Sequence, residues 1–403
     1  MSGSQDLLAR VRGRLALAGE APTPASIAAA IRAERGSAVG EAALRGHVAR
    51  LRSELIGAGP LEPLLADPSV TDVLVNGAAG VWVDRGKGLQ RARLRLDAAA
   101  VRALAQRLAT ACGRRLDDAQ PYVDARLPDG TRLHAVLPPI AVDGPCLSLR
   151  TFRRRGFSLD ELVSVGTVSE EIAPVLAAVV VARLPYLVTG GTGSGKTTLL
   201  NTLLGLTPQS ERIVVVEDAA ELRPAHPHMV GLAARAANAE GAGEVTMREL
   251  VRQALRMRPD RIIVGECRGG EIVELLAALN TGHDGGAGTL HANSPADVPA
   301  RLEALGLLGG LGRDALHAQV ASALRVVLHL DRASEGRRLR EIDLLSPGSG
   351  SRVRAELAWR VTGGLGPAAG ELARMLAERG AAIPQLLTEG RPPAGSSPRD
   401  GAT

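Results

Sequence analysis

Gly190-Gly191-Thr192-Gly193-Ser194-Gly195-Lys196-Thr197 fits G-x-x-x-x-G-K-[ST] at every fixed position. No other stretch constrains the fold as much, because this loop works only between a strand and a helix. Leu187-Val188-Thr189 supplies a short apolar run before it, and Thr198 to Leu204 an amphipathic run after it. The glycines let backbone N–H groups turn inward as an anion nest, and the helix N-terminus adds its partial positive charge. Lys196 is expected to reach the β- and γ-phosphates of a nucleotide, and Thr197 to hold Mg²⁺ through its hydroxyl. The nucleotide-binding set is therefore Gly190, Gly191, Thr192, Gly193, Ser194, Gly195, Lys196, Thr197 and Thr198. A plain glycine-rich turn before a helix has no need of the lysine. The chain writes nearly all its basic residues as Arg; its lysines are Lys87 and Lys196. A compact ammonium fits a phosphate cradle where a planar guanidinium is too large.

Around this loop, apolar runs alternate with helical stretches. Strands are expected at 185–189, 212–217, 261–266, 288–291 and 325–330, with helices between them. That rhythm predicts an α/β domain with a mostly parallel sheet over residues 170–345. Upstream, residues 1–55 carry apolar residues at helical spacing (Leu7, Val11, Leu15; Leu44, Val48, Leu51, Leu55) and read as a helical extension. Residues 56–155 read as an α+β domain. Strands are expected at 70–75, 81–83, 133–136 and 147–151, a helix at 98–111, and turns at Asn76-Gly77 and Asp129-Gly130. A linker is expected at 156–169, a C-terminal hairpin and helix at 346–390, and a Pro/Gly/Ser-rich disordered tail at 391–403.

A phosphate loop needs carboxylates at strand ends to position metal and water. The run Ile213 to Val216 leads into Glu217-Asp218, and Ile262-Ile263-Val264 into Gly265-Glu266. Ligands of open α/β sheets bind just past such carboxyl ends. Glu266 is assigned to the Mg²⁺ shell with Thr197, and Glu217 to the base that orients water; at this level the two roles are interchangeable. A solvated helix cap or loop salt bridge is the structural alternative for each. His283 and His291 flank a glycine-rich stretch without zinc-like spacing. His291 follows a strand at the same sheet edge, where its imidazole can sense a γ-phosphate; a core histidine is the alternative.

Composition bounds the rest. With 45% hydrophobic and 23% charged residues the chain is globular. Three scattered cysteines, Cys112, Cys146 and Cys267, read as free thiols of a reducing compartment. No apolar run approaches the ~20 residues of a membrane span, and no secretory leader is read in Met1 to Arg10. A net charge of +5 over 403 residues, with six aromatics, argues against nucleic acid as the direct partner.

Four motifs in order carry a resemblance: the phosphate loop; an acidic box, Val216-Glu217-Asp218-Ala219-Ala220-Glu221-Leu222-Arg223; a Walker B-like segment, Arg258 to Glu266; and a His box, Gly282 to His291, followed by Ala292-Asn293-Ser294. Together they resemble the secretion ATPases of the type II/type IV superfamily. The segments Leu127-Pro128-Asp129-Gly130-Thr131-Arg132 and Leu147 to Phe152 look most like the tight-adherence (Tad) pilus ATPases. The chain lacks the four-cysteine zinc module of other branches. The resemblance implies a RecA-like P-loop ATPase domain beneath an N-terminal sensory domain, a homohexameric ring, and ATP with Mg²⁺. It implies a cytoplasmic location, peripheral at the inner face of the membrane beside a platform protein. Arg132 and Arg150 would approach the γ-phosphate. The implied work is pilus assembly or protein secretion driven by ATP hydrolysis; a RecA-type helicase or DNA translocase is the alternative. Gly285-Gly286-Ala287-Gly288 stands where the family often carries bulkier residues, and is expected to loosen the turn before His291.

Overall fold

The computed structural model describes residues 2–19, 23–35, 40–86, 88–151, 156–235, 237, 242–333, 336–348 and 352–388; the expected tail at 391–403 lies outside them. The chain divides into two compact units, 1–153 and 154–403. Among the described residues no helix is long and apolar enough to cross a membrane.

The first unit opens with helices Ser2–Ala18, Pro24–Arg35 and Glu41–Ile56. Leu7, Val11 and Leu15 recur every four residues and meet Ile27, Ile31, Leu44 and Leu51 in a closed apolar cluster. A sheet follows, built from β1 (Asp72–Asn76), β2 (Val81–Asp84), β3 (Leu89–Arg91), β4 (Tyr122–Arg126), β5 (Arg132–Val136) and β6 (Cys146–Arg150). Its order is β3-β2-β1-β6-β5-β4, antiparallel throughout. The helix Ala98–Ala111 is capped by Asp97, whose carboxylate accepts from Ala100 N at 2.7 Å. It covers one face through Val101, Leu104, Ala105 and Leu108, packed with Val73, Val75, Leu133, Leu147 and Leu149.

The second unit holds β7 (Tyr186–Gly190), β8 (Ile213–Glu217), β9 (Met229–Ala233), β10 (Arg261–Cys267), β11 (Ala287–Leu290), β12 (Val326–Ala333), β13 (Gly336–Pro347), β14 (Val353–Arg360) and β15 (Gly364–Leu365). They form one sheet in the order β15-β14-β13-β12-β7-β11-β10-β8-β9. The pairings from β12 to β9 are parallel; β13, β14 and β15 extend it antiparallel. Successive residues feed opposite cores. Leu187, Val214, Val216, Ile262 and Val264 face helices Met247–Ala254, Glu271–Leu279, Val298–Leu308 and Arg313–Ala323. Tyr186, Val188, Ile213, Val215 and Ile263 face helices Ala173–Val181 and Lys196–Leu204. Burial on both faces explains the unbroken apolar runs.

Several expectations are corrected. Residues 156–169, read as a linker, contain the helix Leu159–Ser164, and Leu162 and Val168 are buried in the second unit's core. The boundary drawn at 345 falls inside β13, and Trp359, Leu372 and Leu376 belong to the same core as the phosphate-loop helix. The single helix expected near 368–387 is two, Ala369–Glu378 and Gln385–Thr388, divided around Pro384. The glycine run before His291 tightens the packing. A Cβ on Gly286 would stand 2.5 Å from Leu279 Cδ2 and 2.8 Å from the Ile262 carbonyl. A larger residue would therefore push β11 away from β10.

Candidate functional site

Gly190 ends β7 at φ 144°, and a Cβ there would lie 2.3 Å from the Leu330 carbonyl and 2.6 Å from Ser194 Oγ. Only glycine permits both that backbone conformation and that approach of β12. Gly195, at φ 101°, starts the helix Lys196–Leu204 in the left-handed region. Among the described residues the Ser194 hydroxyl, only 1% exposed, has no hydrogen-bond partner. Lys196 is buried, and its Nζ donates to the Gly190 and Gly191 carbonyls at 3.0 and 2.8 Å.

His291, just past β11, joins Lys196 to Glu266. Its Nδ1 lies 3.5 Å from Lys196 Nζ, and its Nε2 lies 2.6 Å from Glu266 Oε1. The ammonium has only hydrogens to offer, so Nδ1 is the acceptor and Nε2 carries the proton. Burial and the neighbouring Lys196 charge hold the imidazole's pKa below its ordinary value, with Glu266 opposing, so His291 is neutral at pH 7. Burial likewise lowers the Lys196 pKa, Glu266 opposing. Arg268 Nη2 lies 2.5 Å from Glu266 Oε2. Thr289 Oγ1 donates to the Gly265 carbonyl at 2.7 Å, fixing the strand end that carries Glu266. A cavity of about 440 Å³ opens beside this row, lined by Gly190, Gly191, His291, Asn293, Asp297 and Arg301 among others.

The structure thus brings Lys196, His291 and Glu266 together. It engages Glu217 differently. The strand beside β7 is β11, and β8 lies beyond β10. Glu217 is 4% exposed, and its Oε1 accepts from the Glu221 and Leu222 amides, both at 3.0 Å. Burial raises its pKa against those hydrogen bonds. Gly265 makes room for it: a Cβ there would lie 2.6 Å from Glu217 Cγ. Glu217 Oε1 therefore holds the acidic loop in shape, while its buried Oε2 has no hydrogen-bond partner among the described residues. Asn201, on the phosphate-loop helix, accepts from the Arg223 amide at 2.6 Å and anchors the loop's far end. In the first unit, Arg132 and Arg150 are direct cross-strand partners on β5 and β6. Arg132 pairs with Asp124 at 2.6 Å and Arg150 with Asp72 at 2.9 Å.

Sequence reasoning missed His329. It lies opposite Thr189 in the β12–β7 pairing, with Nδ1 2.9 Å from Thr189 Oγ1, and also bonds the Asn293 backbone. It therefore links the strand before the phosphate loop to the segment after His291. Only the adjacency of β12 to β7 could have revealed it.

The family model described as "Type II/IV secretion system protein" matches residues 54–352. The chain belongs to that family, the secretion ATPase superfamily that its four motifs resemble. A Mycobacterium tuberculosis protein named for conjugal transfer is 55% identical over 352 residues, covering 85% of this chain and all of that one. The conjugal transfer protein TrbB of Rhizobium radiobacter is 33% identical over 283 residues, covering 69% of this chain and 84% of TrbB. Among solved structures, the pilus retraction motor PilT with bound ADP matches at a TM-score of 0.52 and 21% identity, over 72% of this chain and 83% of that one. This last match speaks to fold alone.

Proposed function

We propose that the chain is a ring motor that hydrolyses Mg-ATP and passes the resulting domain motion to a membrane platform protein of a pilus or secretion machine. The observation that carries this is the Lys196–His291–Glu266 row at the carboxyl edges of β7, β11 and β10. A terminal phosphate entering there would take Lys196 from the Gly190 and Gly191 carbonyls. The freed ammonium would then no longer face the imidazole alone, so His291 would register whether that phosphate is present. The buried, unpartnered Ser194 hydroxyl and the glycine-lined bend suit a phosphate group. Mg²⁺ is ordinarily held by one or two carboxylates together with phosphates and water. Thr197 and Glu266 fit that donor set, and the ion would neutralise developing charge on the phosphates.

In this reading the second unit is the RecA-like ATPase domain and residues 56–155 the sensory domain. Arg132 and Arg150 lend their charge to the γ-phosphate after leaving Asp124 and Asp72. Glu217 is the base that orients water, through the buried Oε2 that its loop amides leave unpartnered among the described residues. The ring is a homohexamer working at the inner face of the cell membrane, without nucleic acid as a direct partner. Placement in the tight-adherence branch rests on the Leu127 to Arg132 and Leu147 to Phe152 segments.

The test is steady-state phosphate release with MgATP. Lys196→Ala is expected to lose turnover and nucleotide binding while keeping its melting transition. Glu266→Gln is expected to bind ATP yet turn it over at least ~10²-fold more slowly. Hydrolysis by Glu266→Gln at the parent rate would remove Glu266 from the reaction. Strong stimulation by single-stranded DNA that fades with salt would favour a translocase instead.

A further inference from the structure

The β12–β13 hairpin places two arginines against the phosphate loop from the side opposite His291. Arg332 and Arg337 are direct partners in the β12–β13 pairing. Arg337 Nε donates to the Gly193 carbonyl at 2.9 Å, and its Cδ lies 3.3 Å from where a Cβ on Gly195 would stand. Arg332 Nη1 lies 3.5 Å from the corresponding point on Gly193. Both arginines thus flank Gly193, the stem of Arg337 also lies against Gly195, and both side chains are exposed. Among the described residues the Arg332 guanidinium has no carboxylate partner, its backbone amide donating to Asp331 Oδ1 at 2.6 Å. The nearby Asp331 carboxylate instead lies 3.7 Å from Arg340.

The sheet order gives this pair a direction. β7 has β11 and then β10 on one flank, carrying His291 and Glu266, and β12 on the other. On the function proposed above, on which this inference rests, the terminal phosphate lies toward His291 and Glu266. The nucleoside end of the ligand then emerges toward the hairpin. A purine there needs a flat platform, and this chain has few. In the second unit Tyr186 and Trp359 are each 1% exposed, and Phe157 packs against the core. A guanidinium plane serves the same purpose, because it stacks on aromatic faces where an ammonium does not.

The geometry points to Arg332 and Arg337 as the nucleoside-binding element of the site, with the base of a purine nucleoside di- or triphosphate lying against their guanidinium planes. Arg337 is held in place by its Nε bond to Gly193, which fixes the stem before the ligand arrives. A brace that merely shaped the loop would serve every phosphate ligand equally; a nucleoside seat would not.

The experiment is calorimetric titration of the full-length protein, with Mg²⁺, using ATP, ADP and inorganic tripolyphosphate as probes. The parent is compared with Arg332→Ala, Arg337→Ala and Arg337→Lys, each checked by its melting transition without ligand. The expected result is ATP and ADP affinity lowered about tenfold or more in both alanine variants, with tripolyphosphate affinity unchanged. Arg337→Lys, which keeps the charge and loses the plane, should behave as Arg337→Ala does. A parallel loss for all three probes would reduce the arginines to a loop brace. Unchanged nucleotide affinity, or full rescue by lysine, would also overturn the assignment. A parent that bound none of the probes would instead overturn the phosphate site itself, and this inference with it.

Discussion

At Asp343 on β13 a single carboxyl carries a cost that pH should expose. It is 4% exposed, and burial, then Glu341, raises its pKa from 3.8 to about 7, with Arg360 opposing. The folded chain therefore binds a proton there that the unfolded chain has already released between about pH 4 and 7. The stability this contributes is complete below the lower value and lost as pH rises through the upper one. Asp343→Asn cannot ionise. Its unfolding free energy relative to the parent should thus be higher at pH 8 than at pH 5, by a difference on the order of 1–3 kcal/mol. An equal gap at both pH values would mean the carboxyl is not held neutral. Legibility at this scale follows locality. The phosphate loop could be read because each glycine answers to its own backbone, and Lys196 to a fixed spacing. His329 and Arg337 could not, since their partners Thr189 and Gly193 lie 140 and 144 residues away. Glu217 was visible as an acid at a strand end, but nothing local told that two amides of its own loop would take its oxygen.

Among the elements, the helix Leu159–Ser164 shows how a signal can be present and passed over. Ser158 and Glu161 form a capping box: Ser158 Oγ accepts from Glu161 N at 3.1 Å, and Glu161 Oε2 accepts from Ser158 N at 2.7 Å. The S-x-x-E pattern ahead of Leu162 was there to be read, but at six residues the helix is too short for periodicity to register. Ser158→Ala should cost about 1 kcal/mol. For a unit of this size the melting temperature should fall by about 2–4 °C. No fall would mean that core packing alone holds the segment. The buried parallel strands were legible because both faces are apolar. β9 was not: only its pairing with β8 makes it a strand, and its side chains stay partly exposed at the sheet edge. Strand order was the larger loss, because two apolar runs carry no record of which third run will lie between them.

For the whole molecule, each apolar cluster stays within one unit: residues 7–51 and 58–149 in the first, and two clusters spanning 162–387 and 187–353 in the second. Each unit thus has its own basis for folding, as a motor with nucleotide-dependent domain positions requires. The ring proposed for it predicts a six-subunit species in sedimentation velocity with a non-hydrolysable ATP analogue. A monomer at every protein and nucleotide concentration would speak against the ring. The sequence could divide the chain because its texture changes near 55 and again before the phosphate loop; it could not show that the C-terminal strands complete the ATPase sheet, since that depends on β12 pairing with the distant β7 as well as with β13. One consequence concerns stiffness. The Leu330 carbonyl leaves no room for a side chain at Gly190, and His329 bonds Thr189, so β12 lies tightly against the strand that leads into the phosphate loop. In the motor proposed above, a load applied to β12 would pass directly to the strand that carries the phosphate cradle.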